Sequence, residues 1–389
     1  MLRSRGVETE GYRVGQVVRP RRATTRHKIG EHGSMKVTMV GQSGSGKTTY
    51  MAALHEMLGA NRVADSFYIT PRASSFEEGI AEEGRFDDVS FGKRNFQFPD
   101  GTQQTTLWTF DFFHKERLVC GFEWIDYRGG IVNELFSQDE DERTTEDRQE
   151  LLGHFRLSSA VLLFADAITL THYENSRQRR IQSGARAINN LIRQYSMHYP
   201  DRPLTVVIVL TKADSDLIDP EWKDDNYAKL TDVGIDAFNE VAAVVRSGRN
   251  EGWAGGIVAV GSVGEGAVQS QLTPPDHFAN PPTVKTQIVG FPEPVNAYHP
   301  LFFALGRELD VARAVQARKV RYSEMEINSI LNGSGRLKDF WAWASGKEGI
   351  KDIAEEMATK KLEEQAALEA IASNIDPMFR HTRSVVREL

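Results

Sequence analysis

The chain has 389 residues, 40% hydrophobic and 26% charged, a composition typical of a globular protein with a sizeable core. Its formal net charge of −7 gives no overall electrostatic argument for binding nucleic acid, so a nucleic-acid partner is not expected. A single cysteine, Cys120, excludes an internal disulfide framework and, with no secretory signal pattern, indicates a reducing cytoplasm. No apolar stretch approaches the roughly 20 residues of a membrane-spanning helix, so none is predicted.

The first 33 residues are polar and rich in arginine, and they lack hydrophobic periodicity. We interpret residues 1–33 as a basic N-terminal arm that is flexible or loosely docked. The alternative is an arm that binds a partner, RNA or anionic lipid.

From Met35 onward the pattern alternates between strand and helix, which predicts an α/β fold with three layers and a mainly parallel sheet. The first strand covers Met35–Val40 and its helix covers Thr48–Gly59, before a long irregular stretch, 60–104. The strand patterns Thr105–Phe113 and Arg117–Ile125 are three residues apart and predict a hairpin. This hairpin would place one antiparallel strand at the edge of the sheet.

Further strands and helices follow a strongly acidic segment, 137–150, for which a solvated loop is the default expectation. Next come a short helix at 151–157, strands at 160–166, 204–210 and 256–260, and helices at 177–199, 228–246 and 300–321. Residues 264–297 are rich in proline and glycine and are predicted to be a long loop or ordered insertion.

The C-terminal part has a different pattern, with a charged helix predicted over Gly349–Ser373. Its apolar positions are sparse, so packing on its own core is favoured and packing on a partner is the alternative. The predicted organisation is therefore an arm (1–33), a main domain (34–321) and a C-terminal helical extension (322–389).

Residues 41–48 read GQSGSGKT and match the phosphate-binding pattern G-x-x-x-x-G-K-[ST]. The pattern lies between a predicted strand and a predicted helix, so backbone N–H groups and the helix N-terminus would face a polyphosphate. Lys47 would reach the β- and γ-phosphates, and the Thr48 hydroxyl would ligate Mg²⁺. A glycine-rich turn without a ligand is the disfavoured alternative. The predicted nucleotide contacts here are Gly41, Ser43, Gly44, Ser45, Gly46, Lys47, Thr48 and Thr49.

The second hairpin strand ends in Asp126-Tyr127-Arg128-Gly129. An aspartate at the end of a strand beside the phosphate loop is placed to hold Mg²⁺ through a water, and the Gly129 N–H would meet a γ-phosphate. The pattern D-x-x-G is weak alone, and its position at a strand end strengthens it.

The strand 204–210 runs into Thr211-Lys212-Ala213-Asp214. The Asp214 carboxylate would accept from the N1–H and the exocyclic amine of guanine, a donor pair that adenine lacks, so GTP is predicted over ATP. The aliphatic stem of Lys212 would lie along the base or the phosphate loop, and a helix cap is the alternative for this segment. After the strand 256–260, a backbone N–H at Ser262 or Val263 would meet the guanine oxygen, unless Ser262 only shapes a turn.

Together these motifs and the hairpin resemble the translation-factor-related class of P-loop GTPases, which includes Ras-like proteins, over about residues 35–320. More narrowly, the chain is similar to the bacterial double-GTPase families at 40–54 (VGQSGSGKTTYMAAL) and at 295–301 (VNAYHPL). The resemblance implies GTP and GDP as ligands, Mg²⁺ as cofactor, and loops that the γ-phosphate orders.

The resemblance also implies a threonine in the first switch, just before the hairpin, that closes on Mg²⁺ and the γ-phosphate. The candidates are Thr102, Thr105 and Thr106. We prefer Thr102 because 99–101 (Pro-Asp-Gly) predicts a loop there, although an exposed threonine of a strand is the alternative at each position. The long interval before the second motif predicts an insertion in this switch.

A glutamine follows the D-x-x-G glycine in Ras-like proteins and orients the attacking water, but this chain has Gly130. Hydrolysis would therefore need another residue or a partner, or be slow. Arg128 would stabilise charge on the transferred phosphoryl group, or instead pair with nearby carboxylates.

The favoured hypothesis is a Mg²⁺-dependent, GTP-hydrolysing switch whose loops, roughly 85–106 and 127–150, respond to the γ-phosphate. A protein partner would bind the switch loops, the acidic segment 137–150 or the C-terminal helix. Two alternatives are a nucleotide-binding interaction or scaffold protein with little turnover, and, less favoured, an ATPase or kinase.

Overall fold

The computed structural model describes residues 34–59, 67–72, 106–126, 142–272, 284–332 and 350–389, and the structural statements below concern these ranges. The strands are β1 (Ser34–Gly41), β2 (Phe67–Pro71), β3 (Thr106–His114), β4 (Arg117–Asp126), β5 (Ala160–Asp166), β6 (Thr205–Thr211), β7 (Ala254–Ala259), β8 (Val268–Leu272), β9 (Val284–Ile288) and β10 (Arg387–Glu388). The helices are α1 (Lys47–Gly59), α2 (Glu142–Leu157), α3 (Ala167–His172), α4 (Ser176–Gln182), α5 (Ala185–His198), α6 (Asp224–Ala237), α7 (Asn239–Ser247), α8 (His299–Asn332) and α9 (Ile350–Val385).

Eight strands form one sheet in the order β10-β7-β6-β5-β1-β4-β3-β2, and β8 and β9 form a separate hairpin. The strands β7, β6, β5, β1 and β4 are mutually parallel, whereas β3 is antiparallel to both neighbours and β10 is antiparallel to β7. Strands β5 and β6 read AVLLFAD and TVVIVLT, the continuous apolar runs expected where helices cover both faces.

Two hydrophobic clusters lie on opposite faces of the sheet, so the fold has three layers. One cluster combines α1, the start of α8 and Phe379 of α9, and the other combines side chains of α2, α3, α5, α6 and α7. Neighbouring residues of β1 serve the two faces: Met39 packs into the first cluster and Val40 into the second. In a parallel sheet the strands end at one edge, which here carries the loops after β1, β4, β5, β6 and β7.

The mainly parallel sheet, the antiparallel hairpin β3–β4 and the C-terminal helix confirm the predicted fold class. The strand β2 extends the sheet beyond the hairpin, within the segment predicted to be irregular. Helix α2 begins at Glu142, so the second half of the acidic segment 137–150 is helical and not loop.

Two helices predicted as continuous are each broken. The predicted helix 177–199 is split between α4 and α5 at Gly184, whose φ of 75° lies in the left-handed region. The predicted helix 228–246 is split between α6 and α7 at Phe238.

The C-terminal helix α9 packs back along α8, which runs on to Asn332 and so is longer than predicted. His299 Nδ1 lies 3.1 Å from Thr382 Oγ1, and both residues are buried. Arg313 of α8 donates to Glu369 of α9 at 3.1 Å. None of the helices in the described ranges has the length and apolar character of a membrane span.

Candidate functional site

The loop between β1 and α1 needs its glycines for two physical reasons. Gly44 and Gly46 have φ values of 75° and 84°, which side chains with a Cβ rarely adopt. A Cβ on Gly41 would lie 2.6 Å from Ser45 Oγ, and one on Gly46 would lie 3.1 Å from the Thr211 side chain. The sequence pattern therefore corresponds to a tight loop that has two glycines in the left-handed region and is packed closely on its neighbours.

Lys47 begins α1, and its ammonium group turns back over the loop. Its Nζ donates to the carbonyl of Gly41 at 3.0 Å and to that of Gln42 at 3.2 Å, and the residue is 5% exposed. Thr48, the next residue of the helix, is partly exposed, and Lys47 and Thr48 both line one cavity. A positive charge and a hydroxyl thus meet at the N-terminus of a helix, where an anion is stabilised.

Thr211, at the end of β6, fastens the loop to the sheet. Its hydroxyl lies 2.6 Å from the carbonyl of Ser45 and 3.2 Å from that of Ala165, and the residue is buried. Sequence reasoning predicted Thr211 as a nucleotide contact, and the structure shows this clamp in addition to its place in the cavity wall.

Lys212 follows directly with a left-handed backbone, φ 58°, and its ammonium forms an ion pair with Asp166 at the end of β5. The other carboxylate oxygen of Asp166 accepts from the N–H of Ile168 at 2.8 Å and so caps α3. Asp166 was missed by sequence reasoning. The signal available was its position, a carboxylate at the end of a buried strand.

Asp214 is 5% exposed and is held by the turn after β7. Its Oδ2 accepts from the N–H of Val263 at 2.8 Å and from that of Gly264 at 2.7 Å. Burial raises the pKa of the Asp214 carboxyl, and these two hydrogen bonds oppose the rise. The Val263 N–H was predicted to meet a guanine oxygen, but here it donates to Asp214, because the turn wraps around the carboxylate. Ser262 is buried and lines the cavity beside it.

One cavity of about 320 Å³ connects these groups. Its walls come from the phosphate loop, the start of α3, the end of β6 and the residues after it, the turn after β7, and the hairpin β8–β9. The lining residues are Ser43, Gly44, Ser45, Gly46, Lys47, Thr48, Thr49, Ile168, Thr211, Lys212, Asp214, Ser215, Ser262, Val263, Val268, Ser270, Val284 and Thr286.

The hairpin residues of this cavity were also missed by sequence reasoning, which treated 264–297 as a loop or insertion. The strand sequences VQSQL and VKTQI alternate between apolar or hydroxyl side chains and longer polar ones. This period-two pattern is the signal that was available. The surrounding glycines and prolines obscured it.

Several predicted site residues lie outside the described residues: Thr102, Arg128 and Gly129. Asp126 is the last residue of β4, and its backbone pairs in register with Met39 of β1. Asp126 therefore lies at the edge of the sheet where the phosphate loop begins.

The residues present fit a nucleotide and its metal ion. Lys47 and a helix N-terminus lie in the same cavity as the buried carboxylate of Asp214, as a molecule with a phosphate end and a purine donor edge requires. The Thr48 hydroxyl and Asp126 at its strand end are oxygen donors of the kind Mg²⁺ prefers.

Fold and site define a protein of the P-loop nucleotide-binding type. A family model described as Double-GTPase 2 matches residues 36–254, more than half of the chain. The chain belongs to this double-GTPase family and is a GTPase-type nucleotide-binding protein, and the family suggests GTP hydrolysis.

A crystal structure of a protein from Thermus thermophilus is similar at 20% identity with a TM-score of 0.23, covering 51% of this chain and 21% of that one. The chain thus spans about a fifth of that protein's length, and a similarity this low carries no functional argument. No curated protein matches the chain.

Proposed function

We propose that the chain is a GTP-binding and GTP-hydrolysing switch that depends on Mg²⁺. The observation that supports this most directly is that Lys47 and Asp214 line one cavity. Lys47 belongs to the phosphate loop, and the Asp214 carboxylate can accept hydrogen bonds from a base.

At the base end, Asp214 is the residue that discriminates between nucleotides. Its Oδ2 is oriented by two backbone N–H groups, so the carboxylate is held in place before a ligand arrives. Its remaining lone pairs accept from the N1–H and 2-amino group of guanine. A site built to satisfy such donors rejects adenine, which would leave a buried carboxylate without them.

At the phosphate end, Lys47 exchanges its loop carbonyl partners for the β- and γ-phosphates. Thr48 and Asp126 would hold Mg²⁺, which neutralises charge on the phosphates when it is bound. In-line attack by water on the γ-phosphoryl group then yields GDP and phosphate, with Lys47 stabilising the charge that develops on the leaving oxygens.

The switch rests on the loops 85–106 and 127–150. Thr102 would close on the γ-phosphate, and Gly129 would donate its N–H to it. Because Gly130 has no side chain to orient water, turnover is slow unless a partner or another residue, such as Arg128, completes the site. A protein partner would read the switch loops, the acidic segment or the C-terminal helix.

The same missing side chain favours a second candidate function, a nucleotide-dependent interaction or scaffold protein with little turnover. Here GTP would order the loops and remain bound.

Two measurements test these functions. The nucleotide released on denaturing the purified protein, separated by chromatography, is expected to be GDP or GTP, and adenine nucleotide would contradict the guanine assignment. Single-turnover mixing with GTP and Mg²⁺ is expected to give GDP slowly. A GTP complex that persists for hours, with and without cell extract, would leave binding intact and refute hydrolysis.

A further inference from the structure

We propose that the hairpin β8–β9 is the wall of the nucleotide site that contacts the nucleoside half, and that Thr286 is a nucleoside-contacting residue in it. The inference rests on the proposed function, since it concerns how the same cavity holds a guanine nucleotide.

The hairpin belongs to an insertion whose two ends are joined at the turn that holds Asp214. Gly261 and Val295 exchange backbone hydrogen bonds of 3.1 and 2.7 Å. The N–H of Glu293 donates to the carbonyl of Val263 at 2.6 Å. The insertion is therefore fixed to the base-binding turn at its root.

A second set of contacts attaches the side of the hairpin to the segment after Asp214. The N–H of Ser270 donates to Oδ1 of Asp216 at 2.9 Å, and the hydroxyl of Ser215 lies 3.2 Å from that of Ser270. Because Ser215 and Asp216 directly follow Asp214, the hairpin is tied to the base end of the cavity. A nucleotide with its phosphates on the loop would present its nucleoside to this wall.

Alternation along the strands decides which side chains form the wall. Val268, Ser270, Val284 and Thr286 line the cavity. Lys285, between the last two, is exposed. The wall thus combines two valines, suited to a purine or ribose face, with two hydroxyls.

The hydroxyls have an unused hydrogen-bonding capacity. Ser215, Ser270 and Thr286 form a row, with hydroxyl oxygen distances of 3.2 and 3.4 Å between neighbours. Three hydroxyls carry three hydrogens, and the row uses two of them. In the direction Ser215 to Ser270 to Thr286, the remaining hydrogen is that of Thr286, and purine nitrogens and ribose oxygens are acceptors for it.

The decisive experiment compares Thr286→Trp with Lys285→Trp, adjacent substitutions on opposite faces of one strand. Affinity for GDP and for inorganic pyrophosphate is measured by calorimetry with Mg²⁺, and folding is checked by thermal melting. The indole at 286 would occupy the nucleoside end, so GDP binding should weaken at least about tenfold, the loss expected when bulk displaces one good buried contact, whereas pyrophosphate binding should not change. Lys285→Trp should resemble the wild type for both ligands.

Unchanged GDP affinity in Thr286→Trp would overturn the inference, and so would an equal loss for GDP and pyrophosphate, which indicates general distortion. If Thr286→Trp does not fold, Thr286→Val decides the matter: loss of one hydroxyl should weaken GDP about three- to tenfold, and wild-type affinity would refute the contact. A wild-type chain that binds pyrophosphate but no guanine nucleotide would instead refute the proposed function itself.

Discussion

The hydroxyl of Thr211 donates to the backbone carbonyl of Ser45 across 2.6 Å, which joins the end of strand β6 to the glycine-rich loop before α1. Strand β6 ends at Thr211 beside the loop, and Asp214, three residues later, lines the same cavity. The glycine-rich loop and Asp214 are therefore both connected to the end of this one strand.

Replacing Thr211 with valine tests this clamp. Thr211→Val keeps the volume but removes the hydroxyl hydrogen that the buried carbonyl of Ser45 accepts, so the free energy of unfolding should fall by about 1–3 kcal/mol. GDP affinity should fall as well, since the loop loses its attachment. Urea denaturation and calorimetry measure the two effects. Thr205→Val, at the other end of β6, is the matched control, and equal behaviour of both variants would contradict a specific clamp.

Lys47→Ala and Thr48→Ala test the phosphate end. Lys47→Ala loses a charged donor and Thr48→Ala loses the hydroxyl that would hold Mg²⁺. Each loss should weaken Mg²⁺–GTP binding, by about two orders of magnitude for the charged donor. The fold, followed by circular dichroism, should be retained in both variants. Lys229→Ala removes a lysine whose ion pair with Glu221 is exposed, and it should bind GTP like the wild type. Full nucleotide affinity in both loop variants would place the phosphate site elsewhere.

Asp214→Asn tests guanine recognition without removing the acceptor for Val263 and Gly264, since an amide oxygen accepts both hydrogen bonds. The new amide N–H₂ faces the guanine amine unfavourably but is matched to the C2 oxygen of xanthine. We expect GDP affinity to fall by at least about tenfold, the value of one mismatched buried hydrogen bond, and xanthosine diphosphate to bind better than GDP. Competition titration measures the order, and a variant that still prefers GDP would refute the role of Asp214.

The raised pKa of Asp214 predicts opposite effects of acid on binding and on stability. Guanine needs the ionised carboxylate, so GDP affinity should fall as pH drops through the window between the raised pKa and an ordinary aspartate pKa near about 4. In the nucleotide-free protein the folded state binds more protons than the unfolded state within this window. The contribution of Asp214 to the free energy of unfolding therefore rises as pH falls there.

Calorimetry and urea denaturation across this pH range, on wild type and Asp214→Asn, measure both slopes. The variant should lack the contribution of Asp214 to the pH dependence of GDP affinity and to that of the free energy of unfolding. A wild-type affinity that stays constant down to about pH 4, the ordinary aspartate value, would show that the Asp214 pKa is not raised or that the carboxylate is not used.

Asp166 has two roles that substitution separates. Asp166→Asn removes the charge that pairs with Lys212 but keeps a side chain able to cap α3, whereas Asp166→Ala loses both. Both variants should bind GDP roughly two- to fivefold more weakly, the worth of a partly exposed ion pair. Only the alanine variant should lose about a further 1 kcal/mol of stability. Equal melting temperatures for the two variants would contradict the capping role.

The phosphate loop was predictable because its requirements are local. Gly44 and Gly46 need positive φ values, Lys47 follows them, and the flanking strand and helix have clear apolar patterns. Strands β5 and β6 were equally predictable, because strands buried on both faces have a continuous apolar sequence.

Contacts between distant segments were not predictable. The pairing of Lys212 with Asp166 and of Ser270 with Ser215 joins residues 46 and 55 positions apart. The break at Gly184 also depends on a distant contact, because a Cβ there would lie 2.5 Å from the Gln42 side chain. The periodicity of apolar residues within one segment does not predict contacts with a distant segment.

The short strand β10 has a consequence for the outer edge of the sheet. Arg387 and Glu388 pair with Ile257 and Gly256, and the N–H of Leu389 donates to the carbonyl of Gly255 at 3.1 Å. An uncovered outer strand offers a template on which foreign chains can polymerise. Residues 387–389 pair with β7 and so cover its backbone hydrogen-bonding groups, which protects this side of the sheet from edge-to-edge aggregation.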